Sequence, residues 1–168
     1  VYTLRVSDGN GCIGESSITI TVGSQLNPQI MGDSLLCPGE QTTLFVGSFT
    51  RYVWKEVGIN DTISLNNSVV VNESGSYWIE VSDNLGCSGR DTFDVFIAPP
   101  INLFITSNSS TSICAGDSVR LSANQQFSSY RWDRGDTTRS IWVKPTQTRA
   151  FILTVEDQYG CEADTFRS

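Results

Sequence analysis

Histidine is absent from all 168 residues. Its absence removes the commonest general base and the commonest zinc ligand. Lysine occurs only at Lys55 and Lys144, and the net charge is −7. Such a surface repels phosphates, which argues against nucleic acid as a partner. No apolar run approaches the ~18–20 residues that span a bilayer, so no membrane span is expected. No charged stretch followed by an apolar one opens the chain, so no signal peptide is visible. The opening VYTLRV already reads as strand, and the chain is read as an internal piece of something longer. No nucleophile elbow, phosphate loop, recognisable carboxylate pair or metal cluster is present. The expectation is a non-enzyme without a cofactor.

What is abundant is Ser, Thr, Asn, Val and Ile, with 39% hydrophobic residues overall. This composition favours strands over helices. The acidic balance favours solubility and is compatible with cations.

A short turn recurs three times: SDGNGC at 7–12, SDNLGC at 82–87 and EDQYGC at 156–161. Cys12, Cys87 and Cys161 are spaced by 75 and 74 residues. A second cysteine class follows a similar period, with Cys37 in CPGEQTTL and Cys114 in CAGDSVRL, 77 apart. Trp54 in YVW and Trp132 in YRW are 78 apart. Three marker classes in one order at one period indicate tandem duplication. The register places the last strands of a first repeat at 1–22, a complete repeat at 25–98, and a third at 101–168 truncated in its last strand. The linker is Ile97-Ala98-Pro99-Pro100-Ile101, where paired prolines stop a strand and stiffen the connection.

Within the complete repeat, alternation marks strands at 42–46, 52–55, 69–71, 77–82 and 92–97. Around seven short strands per repeat imply a β-sandwich or a small barrel. The expected core residues are Trp54, Trp132, Tyr77, Phe151, Val46 and Ile79. A domain of this size leaves little room for a catalytic cleft, although a glycosidase needs only two carboxylates.

The order Gly39–Leu44, Trp54, Ser74-Gly75-Ser76-Tyr77, Asn84-Leu85-Gly86 resembles the immunoglobulin-like fold. There Trp lies on strand C, a tyrosine corner opens strand F, and a glycine turn joins F to G. Tyr77 takes the corner position. Val46 and Ile79 stand where antibody domains place the inter-sheet disulfide. In the third repeat Phe151 stands at the corner position, with no Ser-Gly before it. More narrowly, the pattern C-x-G-[ED]…YxW…SGSYxxxVxDxxGC resembles the tandem Ig-like or PKD-like repeats of giant Bacteroidota surface proteins. Gliding-motility adhesins of the SprB kind and other cargo of the type IX secretion system are examples. The resemblance covers nearly the whole chain. It implies an all-β fold of tandem immunoglobulin-like sandwiches of about 75 residues, stacked head to tail. It implies a structural or adhesive segment of a long fibre on a bacterial cell surface. The partners it implies are neighbouring repeats of the same chain, surface polysaccharide, or laterally associated fibres. Two other readings stand beside it: an accessory carbohydrate-binding or spacer module of a secreted hydrolase, and a self-assembling filament subunit.

The five cysteines, in a strand-rich acidic chain without histidine, suggest disulfides in an oxidising compartment. In the resembled fold the A–B turn and the F–G turn lie at opposite ends of strands roughly 20 Å long. A disulfide tolerates a Cα separation of about 7 Å at most. The resemblance therefore suggests an inter-repeat bond, Cys37–Cys161, with Cys12 and Cys87 pairing to preceding repeats and Cys114 to a following one. Pairing within repeats, Cys37–Cys87 and Cys114–Cys161, stays open, as do free thiols.

Four Asp-Ser/Thr motifs, at Ser34, Thr62, Ser118 and Thr137, resemble the O-glycosylation motif of Bacteroidota; each is also ordinary turn-to-strand chemistry. Asp8, Asp83 and Asp157 in the recurring turns are candidate calcium ligands, though no loop carries a dense Asp-x-Asp run, and solvated turn aspartates are the plainer reading. Trp78 and Trp142 are expected to face outward, where they could stack on sugars or simply cover the sheet.

Overall fold

The computed structural model describes residues 1–165. The last three positions of the 101–168 repeat lie outside the described residues. Those described are all-β and contain no helix. The chain divides into two compact units. One holds Val1–Met31, Leu44–Val69 and Ser76–Phe93; the other holds Gly32–Thr43, Val70–Gly75 and Asp94–Ser168.

The chain opens with an antiparallel hairpin, β1 (Tyr2–Ser7) and β2 (Ile13–Ile18), with Leu4 opposite Ser16. Every residue of both strands is exposed.

The next seven strands are β3 (Leu35–Leu36), β4 (Thr42–Phe45), β5 (Arg51–Glu56), β6 (Thr62–Ser64), β7 (Ser68–Val71), β8 (Gly75–Ser82) and β9 (Ser88–Ile97). They form a five-stranded sheet in the order β3-β9-β8-β5-β6 and a two-stranded sheet of β4 and β7. The short β3 runs parallel to the end of β9, with Leu35 opposite Phe96.

The last six are β10 (Ile105–Ser107), β11 (Val119–Ala123), β12 (Ser129–Trp132), β13 (Ser140–Val143), β14 (Leu153–Glu156) and β15 (Glu162–Asp164). They form two three-stranded sheets, β10-β11-β13 and β12-β14-β15. This is the immunoglobulin-like sandwich: A, B and E in one layer, C, F and G in the other.

Alternation buries one face of each strand, as a half-buried sheet requires. Tyr77, Ile79 and Val81 of β8 are buried, as are Leu44 of β4 and Val46 just after it. Val119, Leu121, Ile141, Val143, Leu153 and Val155 gather around Trp132 in the third repeat. Trp54 and Trp132 are 0% and 1% exposed. An indole N–H buried that deeply must find an acceptor. Trp54 donates to the Asn66 carbonyl at 3.0 Å and Trp132 to the Thr138 carbonyl at 2.8 Å. The acceptors lie 12 and 6 residues downstream because β6 has no counterpart in the third repeat.

A second feature repeats faithfully. The Tyr52 hydroxyl accepts from the Phe49 amide at 2.6 Å, and the Tyr130 hydroxyl from the Phe127 amide at 2.8 Å. Both rings meet the neighbouring phenyl edge to face.

Phe151 packs against the buried cluster around Trp132, at its edge. It is half-buried and precedes β14 rather than lying on it. In the second repeat β5 runs two residues past Trp54 and pairs Glu56 with Tyr77. In the third the chain turns directly after Trp132, whose carbonyl accepts from the Gly135 amide at 2.9 Å. The Phe151 ring also lies against the Arg149 guanidinium at 4.7 Å and lines a groove of about 590 Å³ beside Ile113 and Pro145.

Candidate functional site

The three recurring turns fold alike. In each, the aspartate amide donates to the cysteine carbonyl four residues on, at 3.0 Å for Asp8, Asp83 and Asp157. One carboxylate oxygen then accepts two backbone amides. Asp8 Oδ1 takes those of Asn10 and Cys12 at 2.9 Å, and Asp83 Oδ1 those of Leu85 and Cys87 at 2.9 Å. Asp157 Oδ1 takes those of Tyr159 and Cys161 at 2.8 and 3.0 Å. The glycine before each cysteine has φ of +86°, +85° and +82°, a region that favours glycine. Aspartate suits the position because its short side chain brings an oxygen to the amides two and four residues ahead. The sequence offered these aspartates as calcium ligands; the structure gives Oδ1 of each a backbone role. Among the described residues, no three acidic or cysteine side chains converge on a common point.

The second cysteine class sits on another turn. The Cys37 carbonyl accepts from the Glu40 amide at 3.0 Å, and the Cys114 carbonyl from the Asp117 amide at 3.0 Å. Gly39 and Gly116 take φ of +85° and +88° in these turns, as a type II turn demands at its third position. Glu40 also returns Oε2 to the Cys37 amide at 2.8 Å.

One turn of each class is joined covalently. Cys37 and Cys161, 124 residues apart in sequence, form a disulfide with a Cα separation of 5.5 Å. Both lie in the second compact unit. Cys161 is 2% exposed. Beside the bond, the Phe96 and Tyr159 rings meet at 5.5 Å between centroids. The Ala98 amide donates to the Leu36 carbonyl at 2.9 Å, tying the Ile97–Ile101 linker to the residue before Cys37. The within-repeat alternatives, Cys37–Cys87 and Cys114–Cys161, are not formed, because Cys37 and Cys161 are spent on each other. Cys12, Cys87 and Cys114 are free thiols; Cys12 and Cys114 are exposed and Cys87 is half-buried.

Cys87 is covered by a residue with no side chain. A Cβ on Gly23 would fall 2.2 Å from Cys87 Sγ. A Cβ on Gly89 would likewise fall 2.2 Å from the Leu26 carbonyl oxygen. The stretch after β2 thus lies directly on the turn and on the start of β9. Neither contact was legible in the sequence.

The other candidates separate. Ser34, Thr62, Ser118 and Thr137 are all exposed. Trp142 is 63% exposed, as alternation along β13 requires. Trp78 is on the outer face, as expected, and is half-buried there because Arg90 and Lys55 lie over its ring at 4.9 and 6.0 Å, with Arg90 held by Glu80. Cation–π attraction covers that indole face.

No protein-family description matches the chain. No curated protein matches it. Among solved structures, the chain is similar to the N-terminal four Ig domains of Dscam1 isoform 4.4. That superposition has 15% identity and a TM-score of 0.32, and covers 92% of this chain and 50% of the other. It is also similar to the Bacteroides ovatus mixed-linkage glucan utilization locus protein SGBP-B, solved with a mixed-linkage heptasaccharide. There the identity is 14%, the TM-score 0.24, and the coverage 95% of this chain and 47% of the other. The chain spans about half the length of each. The fold assignment rests on strand order and the buried tryptophans, not on these superpositions.

Proposed function

We propose that this chain is a segment of a long extracellular repeat fibre on a bacterial surface, acting as a stiff spacer or stalk with a structural or adhesive role. In this reading 1–22 ends one repeat, 25–98 is a whole repeat, and 101–168 is the next. The observation that carries it is the Cys37–Cys161 bond, which ties the first turn of one repeat to the last turn of its successor. A single domain would not need such a bond for its own core. A chain of domains under tension does, because linkers otherwise bend and peel. Disulfides persist outside the reducing cytosol, which supports an extracellular site. The role is mechanical rather than catalytic, and the partners are neighbouring repeats, with surface polysaccharide or lateral fibres as further contacts.

Single-molecule pulling tests this reading. Under oxidising conditions the segment between the two cysteines, which are 124 positions apart, contributes no extension until the bond is reduced. Reductant should add that length. Full extension without reductant would overturn the stalk reading.

A second reading has one observation in its favour. The exposed Trp142 offers a flat apolar face suited to a sugar ring. In an accessory carbohydrate-binding module, glycan-array binding would be present and would be lost in Trp142→Ala.

A further inference from the structure

A cleft of about 500 Å³ opens where the linker meets the third repeat. Its walls are linker residues 99–101, the 125–128 loop between β11 and β12, and the 157–159 turn between β14 and β15. All of it lies in the second compact unit. Its volume falls within the range of ligand pockets.

The second and third repeats share a scaffold, and they differ where they face this cleft. Phe127 and Tyr130 repeat the bond between Phe49 and Tyr52. Ahead of Phe49 stand Gly47-Ser48; ahead of Phe127 stand Asn124-Gln125-Gln126, one residue more. Asn124 serves the fold: its Oδ1 accepts from the Phe104 amide at 3.1 Å, and its Nδ2 donates to the Asn102 carbonyl at 2.9 Å. Gln125 and Gln126 are exposed, and their carboxamides bond to no other described residue. In the recurring turn, Asp83-Asn84-Leu85-Gly86-Cys87 is matched by Asp157-Gln158-Tyr159-Gly160-Cys161. The turn-forming Asp, Gly and Cys are the same. The two positions left free by the turn bring a third carboxamide and a phenol to the cleft. Tyr159 is seated there by the Phe96 ring.

We propose that this cleft binds a segment of an uncharged polysaccharide. A carboxamide both donates and accepts, as a sugar hydroxyl does, and three of them gather here. The neighbouring aromatic ring offers an apolar surface to the C–H face of a pyranose. No lysine or arginine lines the cleft, Asp157 does, and the net charge is −7, so acidic sugars are disfavoured. A peptide strand would seek main-chain bonds along a sheet edge, whereas these walls are loops. The site goes beyond the stalk reading and stands without it.

An array of oligosaccharides of glucose, mannose, galactose and xylose, printed beside oligouronates, tests this on the whole chain. Binding to at least one uncharged glycan is expected, tighter than to any oligouronate. Tyr159→Leu supplies the residue that the second repeat carries at this place, so the turn can accommodate it. It should weaken binding of that glycan about tenfold, as loss of a stacking ring does. The paired Gln125→Ala, Gln126→Ala variant removes only exposed side chains and should weaken binding to a similar degree. Intact mass verifies Cys37–Cys161 in both. No uncharged glycan bound, a preference for oligouronates, or full affinity in either variant overturns the proposal. Binding lost in Trp142→Ala and kept in both cleft variants does so too, by placing the sugar on β13. Failure of the stalk reading shows instead in the pulling curve, which this experiment does not touch.

Discussion

Cys87 Sγ occupies the place where a side chain at Gly23 would begin, 2.2 Å from the Cβ position. The contact fixes what can follow the first hairpin, since any larger residue must displace the sulfur or the backbone. Gly23→Ala should cost about 1–3 kcal/mol, the usual price of overpacking. The urea midpoint would read this. Gly14→Ala is the control: its Cβ would meet only Val6 Cγ2 at 3.4 Å, and it should cost much less. Equal midpoints for the two variants would show that the Gly23 contact imposes no constraint.

Removing the disulfide should destabilise the protein. A loop of 124 residues is closed by Cys37–Cys161. Loss of a native crosslink costs about 2–5 kcal/mol, chiefly through the freed unfolded chain. Calorimetry of the paired Cys37→Ser, Cys161→Ser variant should show a lower melting transition. An unchanged transition would mean that the bond carries no stability.

The turn aspartates offer a sharper contrast. Asp157→Ala strips the acceptor from two amides at once, those of Tyr159 and Cys161, and should cost about 1–3 kcal/mol. Asp157→Asn keeps a side-chain oxygen and should recover a large part of this. If both variants lose equally, the carboxylate matters for some reason other than amide capture. Chemical denaturation of the two, side by side, decides.

Each tryptophan should report on its own repeat. Trp132→Ala removes the centre of a core drawn entirely from 103–155 and should cost about 3–5 kcal/mol there. Hydrogen exchange should then speed up in β11, β12 and β14 while β5 and β8 keep their protection. Uniform loss of protection would reveal one cooperative interior and would contradict separate folding of the repeats.

The four Asp-Ser/Thr residues Ser34, Thr62, Ser118 and Thr137 are exposed, as a glycan-bearing site must be. The native protein should show intact mass above that of the sequence, lost on chemical deglycosylation. A mass equal to the sequence mass would dismiss modification.

Much was legible because duplication repeats its own evidence. The period of the cysteines, the YxW pairs and the alternation of Tyr77, Ile79 and Val81 reflect local rules: a glycine that must turn, a strand with one wet face. These determined the all-β class, the buried tryptophans and the recurring turns. Phe151 packs against the Trp132 core as expected but stays half-buried, a depth that alternation along one strand does not set. Trp78 faces outward as alternation requires, but alternation cannot see Arg90 and Lys55 laid across it, which leave it half-buried. The choice between Cys37–Cys161, which the resemblance suggested, and pairing within repeats was decided by tertiary structure, as was the seat of Cys87 against Gly23. Periodicity names equivalent positions along a chain. Which of them come within bonding distance depends on how linkers and sheets place them in space.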